Sequence, residues 1–477
     1  MNPAQTPEGQ AANGSVGKRR TLARNSSSVL FATIVAAIAV VGTAIITTRL
    51  LGPTGRGQLT VATLLATLIV TLGSVGLGSA ATYFTARGER ARTVVLGNSV
   101  LLGFALGLAI IGAGFAVIVF SGATLKGVPA SYLLIAMAVV PFALVLGNVQ
   151  SVFLGLQRFR EFNRITVAQA VLPLLLIGVA LLALGGGVRA AIVATTISTV
   201  LLAVVVLVIA SRTVGVSWRP DRGYVKVATS YGIRVHAANV LNFLGYRLDV
   251  FVLNAYASPA AVGLYAAAVA VAERLWMLSQ AVSVALFPRI AEEKDEDVRR
   301  SITPLLARNT FWLTAAAAAL FWLLSGPLVT LLYGGKFASS AGALRALLPG
   351  IVAYSATRVL GNDIAARGRP ILNSYIATVS VALNLGLNLM LVPRYGIKGA
   401  AWSSTASYSL LCVMTAAVYC KIAKVSARAV FVPAREDGAA YLRLARRLLA
   451  RPTAQDSAGL DVAATPAALS DAESTDS

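Results

Sequence analysis

The sequence predicts an all-α polytopic membrane protein, with twelve transmembrane helices in two pseudo-symmetric six-helix bundles. Three observations carry that expectation. Of 477 residues, 57% are hydrophobic and only 13% charged, against about 45–50% and about 25% in soluble domains. So little charge cannot cover a water-exposed surface, which excludes a soluble enzyme and a disordered chain. Long, continuous apolar runs recur along the chain, and the two halves match each other at a nearly constant offset.

The apolar runs fall at 27–50, 58–85, 93–120, 130–156, 163–184, 188–211, 227–254, 262–288, 305–333, 341–366, 370–392 and 397–420. Each offers the roughly 20 residues a helix needs to cross hydrocarbon. Their continuity, without alternation, makes them helices and not barrel strands. The first follows Lys18, Arg19, Arg20 and Arg24. It is too long for a signal h-region and lacks a small-residue cleavage site, so it reads as a span. Gly73, Gly76, Gly78, Gly112 and Gly114 are small-residue sites where helices can pack closely.

The formal net charge of +22 invites a nucleic-acid reading, but the positions of the basic residues contradict it. Of 41 Lys and Arg, 29 lie in one alternating set of loops and the tails, and 8 in the other set. The positive-inside rule places the richer set in the cytoplasm. Both termini are then cytoplasmic, which twelve spans satisfy. The expected organisation is a disordered basic N-terminus (1–26), a first bundle (27–212), a cytoplasmic linker (213–226), a second bundle (227–425) and a cytoplasmic tail (426–477). Within the tail, residues 438–451 read as a basic amphipathic helix for the anionic inner leaflet, with a partner-binding segment as the alternative. Residues 1–17 and 452–477 have the composition of disordered chain.

The internal match runs through equivalent loops. Pro53 and Gly57 pair with Pro259 and Gly263 at an offset of 206, and Gly187 pairs with Gly396 at 209. Arg158 and Arg160 fall on Arg367 and Arg369 at that second offset. Halves of six helices share one orientation, so the repeat is parallel, about an axis along the membrane normal, as in alternating-access transporters.

Four basic residues remain deep in helices: Arg234, Arg247, Arg274 and Arg358, all in the second half. Each costs at least about 2.5–3.5 kcal/mol in a bilayer and calls for a wet cavity or a partner. At 100° per residue Tyr231, Arg234, Asn242 and Asp249 share one sector, while Arg247 and His236 lie on another face. Tyr265, Glu273, Trp276, Gln280 and Ser283 form a second stripe with Arg274 pointing away from it. Tyr354, Ser355, Arg358 and Asn362 form a third, and Asn373, Ser380, Asn384 and Asn388 a fourth. The candidate lumen-lining set is therefore Arg234, Arg358, Glu273, Tyr231, Asn242, Asp249, Trp276, Asn362, Asn384 and Asn388. Guanidinium groups suit phosphate, and the aromatic and amide groups suit sugar faces and hydroxyls. The plainer reading has Asp249 or Glu273 neutralising an Arg, His236 packing, and the Asn384/Asn388 pair bridging helices.

Other chemistries find no support. No P-loop, H-E-x-x-H or G-x-S-x-G occurs. Cys412, Cys420 and the single His236 give no disulfide framework or multi-histidine metal site. The run Glu292, Glu293, Asp295, Glu296, Asp297 alternates with bases as a solvated cytoplasmic loop does.

Several stretches resemble a known family. Arg49-Leu-Leu-Gly-Pro-Thr-Gly-Arg-Gly-Gln58 and Leu72-Gly-Ser-Val-Gly-Leu-Gly-Ser-Ala80 are similar to helices 1 and 2 of bacterial polysaccharide flippases. Val262-Gly-Leu-Tyr-Ala-Ala-Ala268 and Leu286-Phe-Pro-Arg289 resemble their eighth helix, and residues 383–401 their C-terminal half. The resemblance covers residues 25–425. It points to the O-antigen, oligosaccharide or teichoic acid flippases of the multidrug/oligosaccharidyl-lipid/polysaccharide exporter superfamily. It implies a V-shaped, MATE-like pair of bundles in a bacterial cytoplasmic membrane. It also implies transfer of an undecaprenyl-diphosphate-linked oligosaccharide from the inner to the outer leaflet. Arginines would hold the diphosphate, H+ or Na+ would be the candidate drive, and no organic cofactor or metal is called for. Membrane lipids and a glycan polymerase or ligase are the implied partners, with no nucleic acid. Helix 1 carries no charged group between Ser28 and Thr48, unlike helix 1 of the superfamily's drug extruders and lipid II flippases. A drug exporter of the same fold and a membrane enzyme of glycan assembly remain the alternatives.

Overall fold

The computed structural model describes residues 7–121, 125–277 and 296–433. Gln280, Ser283, Arg289, most of the acidic run (292–295), the expected amphipathic helix at 438–451 and the stretch 452–477 lie outside the described residues. Within them every regular element is helical: α1 (Pro7–Gly73), α2 (Leu77–Arg87), α3 (Arg92–Ser121), α4 (Ala130–Met137), α5 (Val140–Gly155), α6 (Phe159–Gly178), α7 (Val188–Thr213), α8 (Arg222–Tyr256), α9 (Pro259–Ala272), α10 (Glu296–Leu323), α11 (Ser325–Tyr333), α12 (Ser340–Ala366), α13 (Pro370–Ala423) and α14 (Ala427–Phe431).

Two of these are pairs of arms joined at one glycine. In α1 the chain turns at Gly52 (φ 67°), and in α13 at Gly396 (φ 55°). Positive φ is available to glycine at no side-chain cost. Pro53, directly after Gly52, has no N–H to continue the first arm's hydrogen bonds. The breaks coincide with the loops between the first and second, and the eleventh and twelfth, apolar runs. Among the described residues six helices are long and apolar enough to cross a membrane, both two-armed helices among them. A seventh span forms if α10 and α11, bent by 73° at Leu324, count as one. Helices α8 and α12, which carry Arg234, Arg247, Asp249 and Arg358, are not in that set.

Boundaries differ from the sequence reading in three places. Helix α1 begins at Pro7 and not near residue 27. Extending an existing helix costs far less than nucleating one, which carries α1 through 7–26 despite Gly9, Gly14 and Gly17. Helix α8 starts at Arg222, inside the expected linker, because Asp221 caps it by accepting from the Tyr224 N–H at 3.0 Å. The second apolar run is broken at Ser74–Gly76, where Gly76 adopts φ 70° before α2.

Three groups of buried apolar side chains hold the helices together. The largest joins the second arm of α1 with α4, α7, α8, α9, α12 and α13. A second gathers α2, α3, α5, α7 and the first turns of α8, through Tyr224 and Ala228. The outer walls remain apolar at Leu182, Leu201, Leu320 and Val413, as lipid-facing surfaces are. The helices up to Phe431 form one compact unit.

A polar clamp fastens the start of α10 to the end of α12. Asp363, fully buried, receives Arg367 Nε at 2.5 Å and has Arg299 Nη2 at 3.6 Å. Arg367 also donates to Glu296. Nearby, Arg308 donates to the Ala429 carbonyl at 2.9 Å and Trp312 Nε1 to that of Phe431 at 2.8 Å, which pins α14 against α10. Arg367 holds the Glu296 carboxyl below the usual glutamate range, chiefly through that hydrogen bond. The stability this contributes is present above the ordinary glutamate pKa and is lost as pH falls through the depressed value. Melting temperature should therefore drop as detergent-solubilised protein is taken below the ordinary glutamate range. Glu296→Gln should blunt that acid-side drop; an unchanged profile would remove the pair from the account.

Candidate functional site

A cavity of about 430 Å3 lies between the halves. The two arms of α1 and helix α6 wall one side; α8, α9, the 3₁₀ turn Glu273–Leu275, α10 and α11 wall the other. Its charged groups are Arg56, Arg247, Arg274 and Glu273, so three guanidinium groups face one carboxylate. Aliphatic side chains and a threonine stripe make up much of the rest.

The stripe follows from helical spacing. Arg56, Thr60, Thr63 and Thr67 recur at intervals of four, three and four residues and share one face of the second arm of α1. Each threonine hydroxyl is spent on a carbonyl one turn back: Thr60 on Arg56, Thr63 on Leu59 and Thr67 on Thr63, all at 2.8 Å. The stripe thus presents methyls while Arg56 carries the charge. Arg56 Nη1 donates to Thr47 Oγ1 at 2.9 Å, and its buried Nε has no hydrogen-bond partner among the described residues. Arg274 Nε donates to the Ala270 carbonyl at 3.1 Å. Among the described residues Arg247 alone of the three has an acid: both oxygens of Glu273 accept from it, at 2.7 and 3.1 Å.

Of the candidate lumen set Glu273 lines this cavity, and the other members are placed elsewhere. Arg234 is exposed outside the cavity. Tyr231 stacks on Tyr83 of α2, with centroids 4.5 Å apart. Asp249 is buried between α8, α9 and α13, accepting from Tyr265, from Ser404 Oγ at 3.1 Å and from the Val250 N–H at 2.8 Å. Trp276 packs with Tyr246, Tyr354 and Tyr408 at centroid separations of 5.1–6.1 Å. Arg358 lies over the Tyr354 ring at 5.7 Å. Asn242 and Asn384 border a small space of about 40 Å3 beside these rings. Asn384 also donates to Ser407 at 3.0 Å, bracing the two arms of α13, and Asn388 donates to the Asn384 carbonyl at 2.8 Å within the first arm. Asn362 is half-buried on α12, away from the cavity lining.

The helical-wheel argument failed for a physical reason. Helix α8 has 35 residues and passes from one packing environment to another, so one sector does not face one space along its length. Its first turns sit in the second apolar group and its last in the largest. Arg247 and Arg274, which the wheel sets on other faces, line the cavity. Arg56 was missed because it was counted as a loop cation; the recurring threonines after it were the available signal.

A sequence profile of the family described as "Polysaccharide biosynthesis protein" matches residues 22–293. The "Probable low-salt glycan biosynthesis flippase Agl15" of Haloferax volcanii is 26% identical over 172 residues, 35% of this chain and 36% of that protein. The chain thus spans about a third of that relative's length. Among solved structures, "Lipid II flippase MurJ, inward closed conformation" superposes with a TM-score of 0.71 at 12% identity, covering 89% of this chain and 93% of that one. An inward-facing multidrug resistance MATE family transporter gives 0.64 at 17%, covering 82% and 94%. These likenesses establish the fold.

The Arg247–Glu273 pair is partly buried, with 31% and 15% of its side chains exposed. Glu273→Gln or Arg247→Gln alone should cost about 1–3 kcal/mol, between the values for exposed and buried pairs. The double variant should recover most of the loss. Strictly additive losses in a thermal-melt cycle would show that the pair is not coupled.

Proposed function

Because the chain belongs to the polysaccharide biosynthesis protein family, we propose that it is a flippase for a lipid-linked, phosphate-bearing glycan. The substrate class is an undecaprenyl-diphosphate-linked oligosaccharide, moved from the inner to the outer leaflet for cell-surface polysaccharide synthesis. One observation carries the reading: a cavity between the halves where three arginines face one glutamate within apolar walls. A diphosphate satisfies guanidinium groups bidentately, and in such surroundings each charge-assisted contact is strong. The flippase named among the relatives supports the transport class.

In this proposal Arg56 and Arg274 hold the diphosphate from opposite walls. Arg247 exchanges between Glu273 and the substrate, so its charge is compensated when the cavity is empty. Most of the polyprenyl chain stays in the surrounding lipid, which the apolar outer walls suit. Twelve spans, two bundles, alternating access and both termini in the cytoplasm complete the topology, in a bacterial cytoplasmic membrane. The gradient that drives the cycle is H+ or Na+, and a polymerase or ligase takes the product outside. A cation-exporting reading is disfavoured by the sign of the cavity, because a cationic drug would meet three like charges.

Two measurements test this. Depletion in the host should accumulate the lipid-linked glycan on the cytoplasmic side; unchanged glycans with altered drug tolerance would overturn the reading. In a flipping assay Arg56→Gln and Arg274→Gln should each slow transport by about 10- to 100-fold, the worth of a hydrogen bond to a charged group. Arg234→Gln should transport normally. Equal effects of all three substitutions would refute the cavity assignment.

A further inference from the structure

A second space opens inside the first half, beside the cationic cavity. It measures about 240 Å3 and lies between the second arm of α1, the junction of α4 with α5, and α7. The junction helps to make it. The apolar span Ala130–Gly155 loses its regular helix between Met137 and Val140, where Pro141 has no N–H for the Met137 carbonyl. Residues on both sides of that step, Ala136, Val139 and Ala143, face the space.

Among the described residues no ionisable group lines this chamber, only alanine, valine, isoleucine and threonine. Its five threonines are apolar in effect. Thr63 and Thr67 donate to carbonyls of their own helix at 2.8 Å, and Thr195 and Thr199 do the same at 2.9 and 3.2 Å. Thr196 donates across to the Ile135 carbonyl at 3.2 Å. With the hydroxyl hydrogens engaged, a sugar or a phosphate would give up its hydration there for little return. Hydrocarbon suits such a place: an aliphatic cavity of about 150 Å3 stays dry and takes up benzene.

Thr63 and Thr67 border both spaces. They follow Arg56 on the same helix face, about 10 and 16 Å along the axis. A polyprenyl diphosphate held by Arg56 therefore has its hydrocarbon beside the mouth of the chamber. We propose that the chamber is a binding subsite for the isoprene units next to the diphosphate of the transported lipid. The assignment rests on the function proposed above and adds recognition of the hydrocarbon to recognition of the charge. The rest of the polyprenyl chain remains in the bilayer.

The test uses the full chain in phospholipid nanodiscs. It is irradiated with geranyl diphosphate bearing a diazirine at its hydrocarbon end, and the adducts are mapped by mass spectrometry. They should fall on 63–70, 136–143 and 192–199. Unmodified geranyl diphosphate should compete at least about tenfold better than inorganic diphosphate, the gain from burying two methylene groups. Ala143→Leu and Thr199→Leu fill the chamber. Each should cut the adducts about tenfold and leave the affinity for inorganic diphosphate, read by calorimetry, unchanged. Ala138→Leu, exposed and outside the lining, should behave as the parent. Adducts in the parent that avoid the chamber would overturn the subsite, and that map does not depend on the variants folding. Undiminished adducts in both filled variants would overturn it as well. A diazirine-bearing geraniol separates the two readings. Equal chamber adducts with and without the diphosphate, insensitive to inorganic diphosphate, would uphold the apolar chamber and overturn the diphosphate assignment. Inorganic diphosphate competing against adducts formed only elsewhere would do the reverse.

Discussion

Three guanidinium groups facing a single carboxylate across one cavity, as the described residues place them, set the terms for the rest of the structure. A charged group in hydrocarbon is tolerated only with a partner or with water. Arg247 has Glu273, at 2.7 Å. Arg56 has the Thr47 hydroxyl and Arg274 a single carbonyl of its own helix. Neither neutral partner cancels a charge, so the cavity concentrates positive potential. The threonine face of α1 fits this arrangement: its hydroxyls are already bonded within the helix and add shape without competing for an anion.

The acids of the second half fall into different roles by burial. Asp249 is enclosed by Tyr265, Ser404 and a backbone N–H; it ties α8 to α9 and α13. Asp363 is fully buried between Arg299 and Arg367 and organises the clamp at the far end of α12. Glu273 sits in a short 3₁₀ turn at the end of α9, where its side chain reaches the cavity. The loss of α-helical continuity at that point accompanies the one carboxylate that lines the space among the described residues.

Much of the architecture was legible in the sequence because membranes impose a strong code. Apolar run lengths gave the all-helical class, while the described residues hold six or seven spans against the twelve runs read from the sequence; Gly52-Pro53 and Gly396 marked the breaks within α1 and α13. The Pro/Gly repeat pointed at residues that touch where the second arm of α1 meets α9, although nothing in a sequence says that repeated loops must meet. The site was less legible. Angular position on a helix says which residues share a face only while the helix keeps one set of neighbours, and α8 does not. Glu273 was found from its rarity within an apolar run. Arg247 and Arg274 were noticed for the same reason but set on the wrong faces. Arg56 was hidden by its place at the start of a helix, where a basic residue ordinarily faces water. The aromatic group of Tyr246, Trp276, Tyr354 and Tyr408 draws on four segments far apart in sequence, and no local pattern announces it.

The central claim is that the cavity recognises an anionic headgroup through its unmatched arginines. The most direct measurement compares binding of undecaprenyl diphosphate and uncharged undecaprenol to the purified protein, in the parent and in an Arg56→Gln/Arg274→Gln variant. The account predicts that the parent prefers the diphosphate by at least about 100-fold, two charge-assisted contacts' worth, and that the variant loses most of that preference. Equal affinity for the two lipids in the parent, or a preference undiminished in the variant, would contradict it.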